Sequence, residues 1–182
     1  AMLALFSINL KRTLACSSIS QIGFILTGIG MSCLLQAAGE DRGLAVRGAF
    51  LHMINHSLFK LVLFLCAAAV YMNLHQLDLN EIRGFGKRKP LLMFCFLMGA
   101  LGIGGMPLWS GYVSKTLLHE SIVEYGKAAA EISKAGVWEA GAGFMDGRGF
   151  GILVSPGFWH GAEWVFLVSG GMTVAYMMKL FV

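Results

Sequence analysis

His52, His56 and Lys60 recur at every fourth position of a stretch that is otherwise apolar, from Phe50 to Val70. A helix of about 3.6 residues per turn lines them along one face, with α-carbons about 6 Å apart. Imidazole accepts a proton at one ring nitrogen and releases one from the other, and a buried lysine amine is a base whose strength its surroundings adjust. The chemistry that best suits the two histidines is proton relay. Three rival readings compete with it. An i, i+4 histidine pair also fits a metal, but no carboxylate or cysteine accompanies it at a suitable spacing, so no metal site is expected. Histidines with ordinary hydrogen bonds can simply fill a core, and a lysine can snorkel to an interface. Lys60 stands between Phe59 and Leu61 in mid-segment, where a charge costs at least about 2.5–3.5 kcal/mol in lipid. That cost argues that Lys60 is functional and not a snorkelling residue.

The elements that carry this row read as membrane helices. Hydrophobic residues make up 57% of the 182-residue chain and charged residues only 13%, against about 25% charged in soluble domains; mean hydropathy is +0.70. The net charge of +4 resides in short loops rather than on an aromatic-rich face, so nucleic acid is not an expected partner. Cys16, Cys33, Cys66 and Cys95 are isolated in apolar runs and read as packing residues. Phosphate loops, nucleophile–base pairs and redox-cofactor motifs do not occur, so no cofactor is expected in this chain.

An all-α, polytopic transmembrane bundle follows, treated as a single domain over residues 1–182. Its spans cover about 13–35, 44–72, 91–122 and 158–182, each long enough for about 30 Å of hydrocarbon. Ser17, Ser18 and Gln21 in the first span are candidates for lining a wet path, with helix packing or back-bonding to their own helix as the alternative. Residues 91–122 have too few apolar residues for two spans and contain Gly104, Gly105, Pro107 and Gly111. They predict one discontinuous helix broken near Gly104 to Gly111, with Lys115 just beyond the break. Residues 124–157 predict an extramembrane connection with a short surface helix over Glu124 to Lys134 and an irregular, glycine-rich remainder. Lys11, Arg12, the Arg83–Lys89 cluster and Lys179 fall on one side, which the positive-inside rule makes cytoplasmic. The apolar start, Ala1 to Ile8, reads as the last turns of a helix, so the chain is expected to be a fragment of a larger bundle.

Three motifs in order resemble one family. Lys11-Arg12-Thr13-Leu14-Ala15-Cys16-Ser17-Ser18-Ile19-Ser20-Gln21-Ile22-Gly23 is similar to its K-R-x-L-A-Y-S-[ST]-x-x-Q-x-G signature, departing at Cys16, where an aromatic is usual. His52 to Lys60 resembles its H-x-x-x-H-x-x-[FL]-K, and Gly104 to Lys115 its broken helix. This is the family of antiporter-like membrane subunits of respiratory complex I, Mrp-type cation/proton antiporters and membrane-bound hydrogenases. The resemblance covers about residues 1–122 and 165–182. It implies most of the second of two inverted helix repeats, and so a C-terminal-half fragment, in a multi-pass protein of the cell (inner or plasma) membrane. It implies a proton relay of His52, His56, Lys60 and Lys115, with Lys115 nearest the exit. The expected partners are the lipid bilayer, other membrane subunits, and transported H⁺ or Na⁺. The expected function is proton, or cation/proton, translocation as a membrane subunit of an Mrp-type antiporter or of an NADH:quinone oxidoreductase or hydrogenase complex whose redox site lies in other subunits. The alternative is a non-conducting membrane scaffold or assembly remnant.

Overall fold

The computed structural model describes residues 1–82, 84–135 and 155–181. Helices α1 (Met2–Phe6), α2 (Leu10–Ala38), α3 (Gly43–Leu74), α4 (Pro90–Gly104), α5 (Ser110–Ala135) and α6 (Pro156–Phe181) follow one another, with a 3₁₀ turn over Phe85–Arg88 before α4. Among the described residues the architecture is all-α, as the apolar runs imply. At about 1.5 Å rise per residue, the 29 residues of α2 and the 32 of α3 exceed the thickness of a bilayer core, and both are apolar enough to cross it. The 15-residue α4 is too short to cross by itself, and α5 takes over from it beyond the break.

The helices start and stop where the residues dictate. Asn9 caps α2 by accepting from the Arg12 backbone N–H at 3.2 Å. The helix ends at Gly39, whose left-handed φ of 79° lets its N–H reach back to Leu35 and Gln36. Pro90 opens α4 at the position where its missing N–H costs nothing. The expected short helix over Glu124 to Lys134 is not separate: it is the last part of α5. The physical reason is that no proline follows Pro107 in this stretch, the single Gly126 is tolerated inside the helix, and Ile122, Tyr125, Ala128 and Ala129 all find buried positions. The glycine-rich remainder of the connection, residues 136–154, and Arg83 lie outside the described residues.

The bundle is apolar on its outer surface and encloses a polar layer between two apolar clusters. On α3, Phe50, Leu58, Leu61 and Leu65 are exposed, whereas His52, Asn55 and Lys60 are buried. Two apolar clusters fill the interior. One gathers Leu10, Leu14, Leu63, Phe96, Ile103 and Tyr176; the other gathers Phe24, Leu35, Ala49, Leu118, Trp159 and Phe166. Between them every long helix contributes polar residues: Ser17 and Gln21 from α2, His52 from α3, Ser114 from α5 and Thr173 from α6, all buried. The two ends of the bundle differ. At one, Lys179 donates to the carbonyls of Leu5 and Ser7 at 2.8 and 2.9 Å, and Leu10 N–H donates to Leu77 O at 2.9 Å. The start of α2, the loop after α3 and the end of α6 therefore meet there, beside Lys11, Arg12 and the basic turn.

Lipid offers apolar side chains as good a home as protein does, so these helices associate through close contact and interior polar bonds. Gly28 lies against Ala49 and Leu118, whereas Gly23 and Gly30 have open space where a side chain would be. Gly28→Ala is therefore expected to destabilise the bundle by about 1–3 kcal/mol through overpacking. Gly30→Ala should be neutral or stabilising by up to about 1 kcal/mol. Thermal unfolding of the two variants in detergent checks the contrast.

Candidate functional site

The break between α4 and α5 is built by residues that cannot continue a helix. Gly105 takes φ 79° and its N–H returns to Leu101 and Gly102; Met106 N–H also reaches Leu101 O. Pro107 follows, and Leu108, fully exposed, carries a positive φ of 78°, a conformation costly for a branched side chain. The first turn of α5 then lies against the last turn of α4, where a Cβ on Gly111 would collide with the Gly102 carbonyl. Asn55 on α3 pins this junction by donating to Ser110 O at 3.0 Å.

The break frees the last carbonyls of α4, and Lys115 takes them. Its Nζ donates to Ile103 O at 2.9 Å and Gly104 O at 3.0 Å. A cation at a helix C-terminus satisfies orphan carbonyls and meets the negative end of the helix dipole. The same ammonium lies 5.5 Å from the centroid of the Phe24 ring, within cation–π range. Lys60 is held in a similar manner at the other end of the row. It donates to Leu14 O at 2.6 Å and sits 5.9 Å from the Phe64 ring centroid.

His52 is the hub between them. Its Nδ1 is 3.0 Å from Ser114 Oγ and its Nε2 is 3.1 Å from Gln21 Oε1. The tautomer follows from the partners. Thr173 gives its own proton to Ser169 O at 2.9 Å, so it must accept from the Gln21 amide at 3.3 Å. That turns Gln21 Oε1, which only accepts, toward His52, and Nε2 must carry the proton. Neutral His52 then accepts at Nδ1 from the Ser114 hydroxyl. Protonated His52 donates at Nδ1, and Ser114 turns its own proton to Gly111 O, 3.0 Å away. The two states differ by the swing of one hydroxyl, with no rearrangement of heavy atoms. His56, one turn along α3, has a buried Nε2 without a hydrogen-bond partner.

In space the order is Lys60, His56, His52, and then Ser114 beside Lys115. It is His52 that touches α5, while Lys60 touches α2. Of the other expected residues, Gln21 belongs to the hub, and Ser17 bonds Tyr176 Oη across helices at 2.9 Å. Ser18 bonds back to Leu14 O at 3.1 Å, the same carbonyl that holds Lys60. Ser114, Thr173, Tyr176 and Asn55 were not singled out from the sequence. A usable signal existed for two of them: Ser169, Thr173 and Tyr176 recur at i, i+4, i+7 on an apolar helix, the mark of a polar inward stripe.

An apolar bundle that wraps a broken helix around one lysine and buries a row of basic side chains in its middle layer defines a class of integral membrane protein. The chain belongs to the transmembrane family described as NADH:quinone oxidoreductase/Mrp antiporter, which it matches over residues 1–135. It is 29% identical over 133 residues to formate hydrogenlyase subunit 3 of Escherichia coli, covering 72% of this chain and 22% of that protein. It is 32% identical over 130 residues to hydrogenase-4 component B of the same organism, covering 70% and 19%. With NAD(P)H-quinone oxidoreductase chain 4-2 of Synechocystis sp. it shares 39% identity over 107 residues, covering 59% and 18%. The chain thus spans about one fifth of the length of these curated relatives.

Ser114→Ala is expected to leave Nδ1 of neutral His52 without its donor, at a cost of about 1–3 kcal/mol, while Nε2 keeps its proton. Nitrogen-15 NMR of the histidine-labelled protein checks this. The Nδ1 resonance of His52 should move and the Nε2 resonance should stay; an unmoved Nδ1 signal would contradict the Ser114 bond.

Proposed function

We propose that this chain carries part of a proton path in the membrane arm of a redox-driven ion pump, or of a cation/proton antiporter, in the cell membrane. The observation that carries the reading is the row of groups able to exchange protons inside an otherwise apolar bundle: Lys60, His56, His52, the Ser114 hydroxyl and Lys115. A proton on one member disfavours a proton on the next by like-charge repulsion, which in a medium of low dielectric acts over several ångströms. Loading one end therefore promotes release at the other. The Ser114 hydroxyl supplies the switch at the hub, since its direction follows the charge on His52. The lysines mark the two ends, each waiting on backbone carbonyls that stabilise the charged form without an opposing carboxylate. The chain's own residues move protons; electron transfer belongs to other subunits of the complex. H⁺ is the ion that this chemistry favours, because amines and imidazoles exchange protons and do not bind Na⁺. Other membrane subunits and lipid complete the surroundings, with Lys11, Arg12, Lys87 and Lys89 on the cytoplasmic side.

Lys60→Ala or Lys115→Ala, introduced into the complete complex, should lower proton pumping by about a hundredfold, the low end of what a positioned proton-transfer group contributes. Assembly should be largely retained. Pumping is read in sealed vesicles by a pH-sensitive dye; unchanged pumping in both variants, with the complex assembled, favours the scaffold reading instead. Separately, a thiol introduced as Lys87→Cys should react with a membrane-impermeant reagent from the cytoplasmic side, and reaction from the opposite side would reverse the proposed orientation.

A further inference from the structure

Lys115 does not end the line of titratable groups. One turn further along α5, about 6 Å by helical rise, His119 stands on the same face. Its Nε2 is 3.0 Å from Glu163 Oε1, and the other carboxylate oxygen of Glu163 is 3.8 Å from His160 Nδ1. The side chains of His119 and Glu163 are each 28% exposed and that of His160 is 80% exposed. One carboxylate therefore links a half-buried imidazole to a solvent-facing one. Among the described residues these are the only carboxylate–base pairs, and none of their groupings forms a metal site. The inner row is basic throughout; beyond it α5 carries Glu120 and Glu124, and α6 carries Glu163, the carboxylate that bonds His119.

An aromatic pair runs alongside, from Lys115 to His119. Phe24 carries the Lys115 ammonium on one side and packs edge-on against Phe166 at 4.8 Å between centroids. Phe166 in turn lies 6.2 Å from the His119 ring. Both phenylalanines are buried. On the α2 side, the segment from Phe24 to Met31 contains no titratable residue; α3 reaches Phe24 with His52; α5 carries Lys115, His119, Glu120 and Glu124, and α6 carries His160 and Glu163. This end of the bundle is the one opposite the basic loops, where Tyr125 and Trp159 pack together at 4.7 Å, residue types suited to a membrane boundary.

We infer that His119, Glu163 and His160 form the release site through which protons leave Lys115 for the outer face, with Phe24 and Phe166 as the apolar gate alongside. The inference rests on the relay proposed above. A proton leaving Lys115 Nζ adds to Nδ1 of neutral His119, and the resulting imidazolium gives its Nε2 proton to the Glu163 carboxylate. The neutral acid turns about its Cγ–Cδ bond so that the protonated oxygen faces His160 and passes the proton on; His160 surrenders it to water, and His119 returns to its Nε2–H tautomer before the next transfer. Lys115 is left as a neutral amine, and one proton has crossed the gate. The carboxylate makes the transfer directional, since an anion beyond the gate attracts the proton that the basic row repels.

The test uses the complete complex in sealed vesicles, with the pH varied only on the outer face. In the unmodified protein, pumping should slow as that side is acidified. Glu163→Gln should lower pumping about tenfold and flatten this outer-face pH dependence, while Glu163→Asp should restore both in part. A merely structural role for Glu163 would not change the dependence on the pH of one side. Should Glu163→Gln fail to assemble, His160→Ala, at an exposed position, decides: a flattened outer-face profile supports the release site and an unchanged one overturns it. Lys115→Ala separates the two ideas. If it stops pumping while Glu163→Gln leaves rate and profile unaltered, the release site is wrong and the relay stands. If Lys115→Ala pumps normally, the relay fails and the release site fails with it.

Discussion

An ammonium group inside an apolar bundle needs oxygen atoms, and in this chain the backbone supplies them. Lys115 has two carbonyls because α4 stops at Gly104 and leaves its last acceptors unpaired. Lys60 has Leu14 O, which also receives the Ser18 hydroxyl. A continuous helix in place of the break would keep Ile103 O and Gly104 O within its own ladder and deprive Lys115 of both. The left-handed turn at Gly105, the proline after it and the glycine contact at Gly111 serve one end: they hold a helix terminus open at the depth where a lysine arrives. Carbonyls, unlike carboxylates, stabilise the cation without fixing it as an ion pair. The amine can then lose its proton without stranding a buried negative charge.

The middle layer depends on the same economy of partners. Two apolar clusters enclose it from either end, so each polar atom within it must find its bond locally. Gln21 illustrates the consequence. Because Thr173 already donates to Ser169 O, the Gln21 amide has only one satisfactory orientation, and that orientation sets the tautomer of His52. Ser114 alone retains a choice, between Gly111 O and His52. A network in which all members but one are committed channels any change of charge into that one rotor. His56, whose buried Nε2 has no partner, stands outside this network, between the hub and Lys60 along α3.

The all-helical fold, the two long apolar helices, the break and the inward stripe of α3 were legible in the sequence because each depends on local chemistry. Periodicity placed His52, His56 and Lys60 on one face, and Gly105, Pro107 and Gly111 announced the interruption. The helical spacing of Glu124, Lys127, Glu131 and Lys134 was also visible, but not that they continue α5, since the register of a helix through a polar stretch is decided by what packs against its other face. Ser18 and Ser17 could not be told apart from their neighbours in sequence. One faces its own helix and the other faces Tyr176, a difference of about 100° of helix rotation.

The division has a physical basis. The sequence by itself determined an apolar, all-helical, interrupted bundle with buried bases, since hydropathy, helix period and the refusal of proline and glycine to propagate a helix act over a few residues. Only the tertiary structure decided which of these groups meet. That His52 meets Ser114 rather than Lys60, that Lys115 rests on α4, and that His119 pairs with Glu163 across 44 positions of chain all depend on how α5 and α6 dock against α2 and α3. Docking in lipid is governed by close contact and by satisfaction of buried polar atoms, and both are properties of several helices at once.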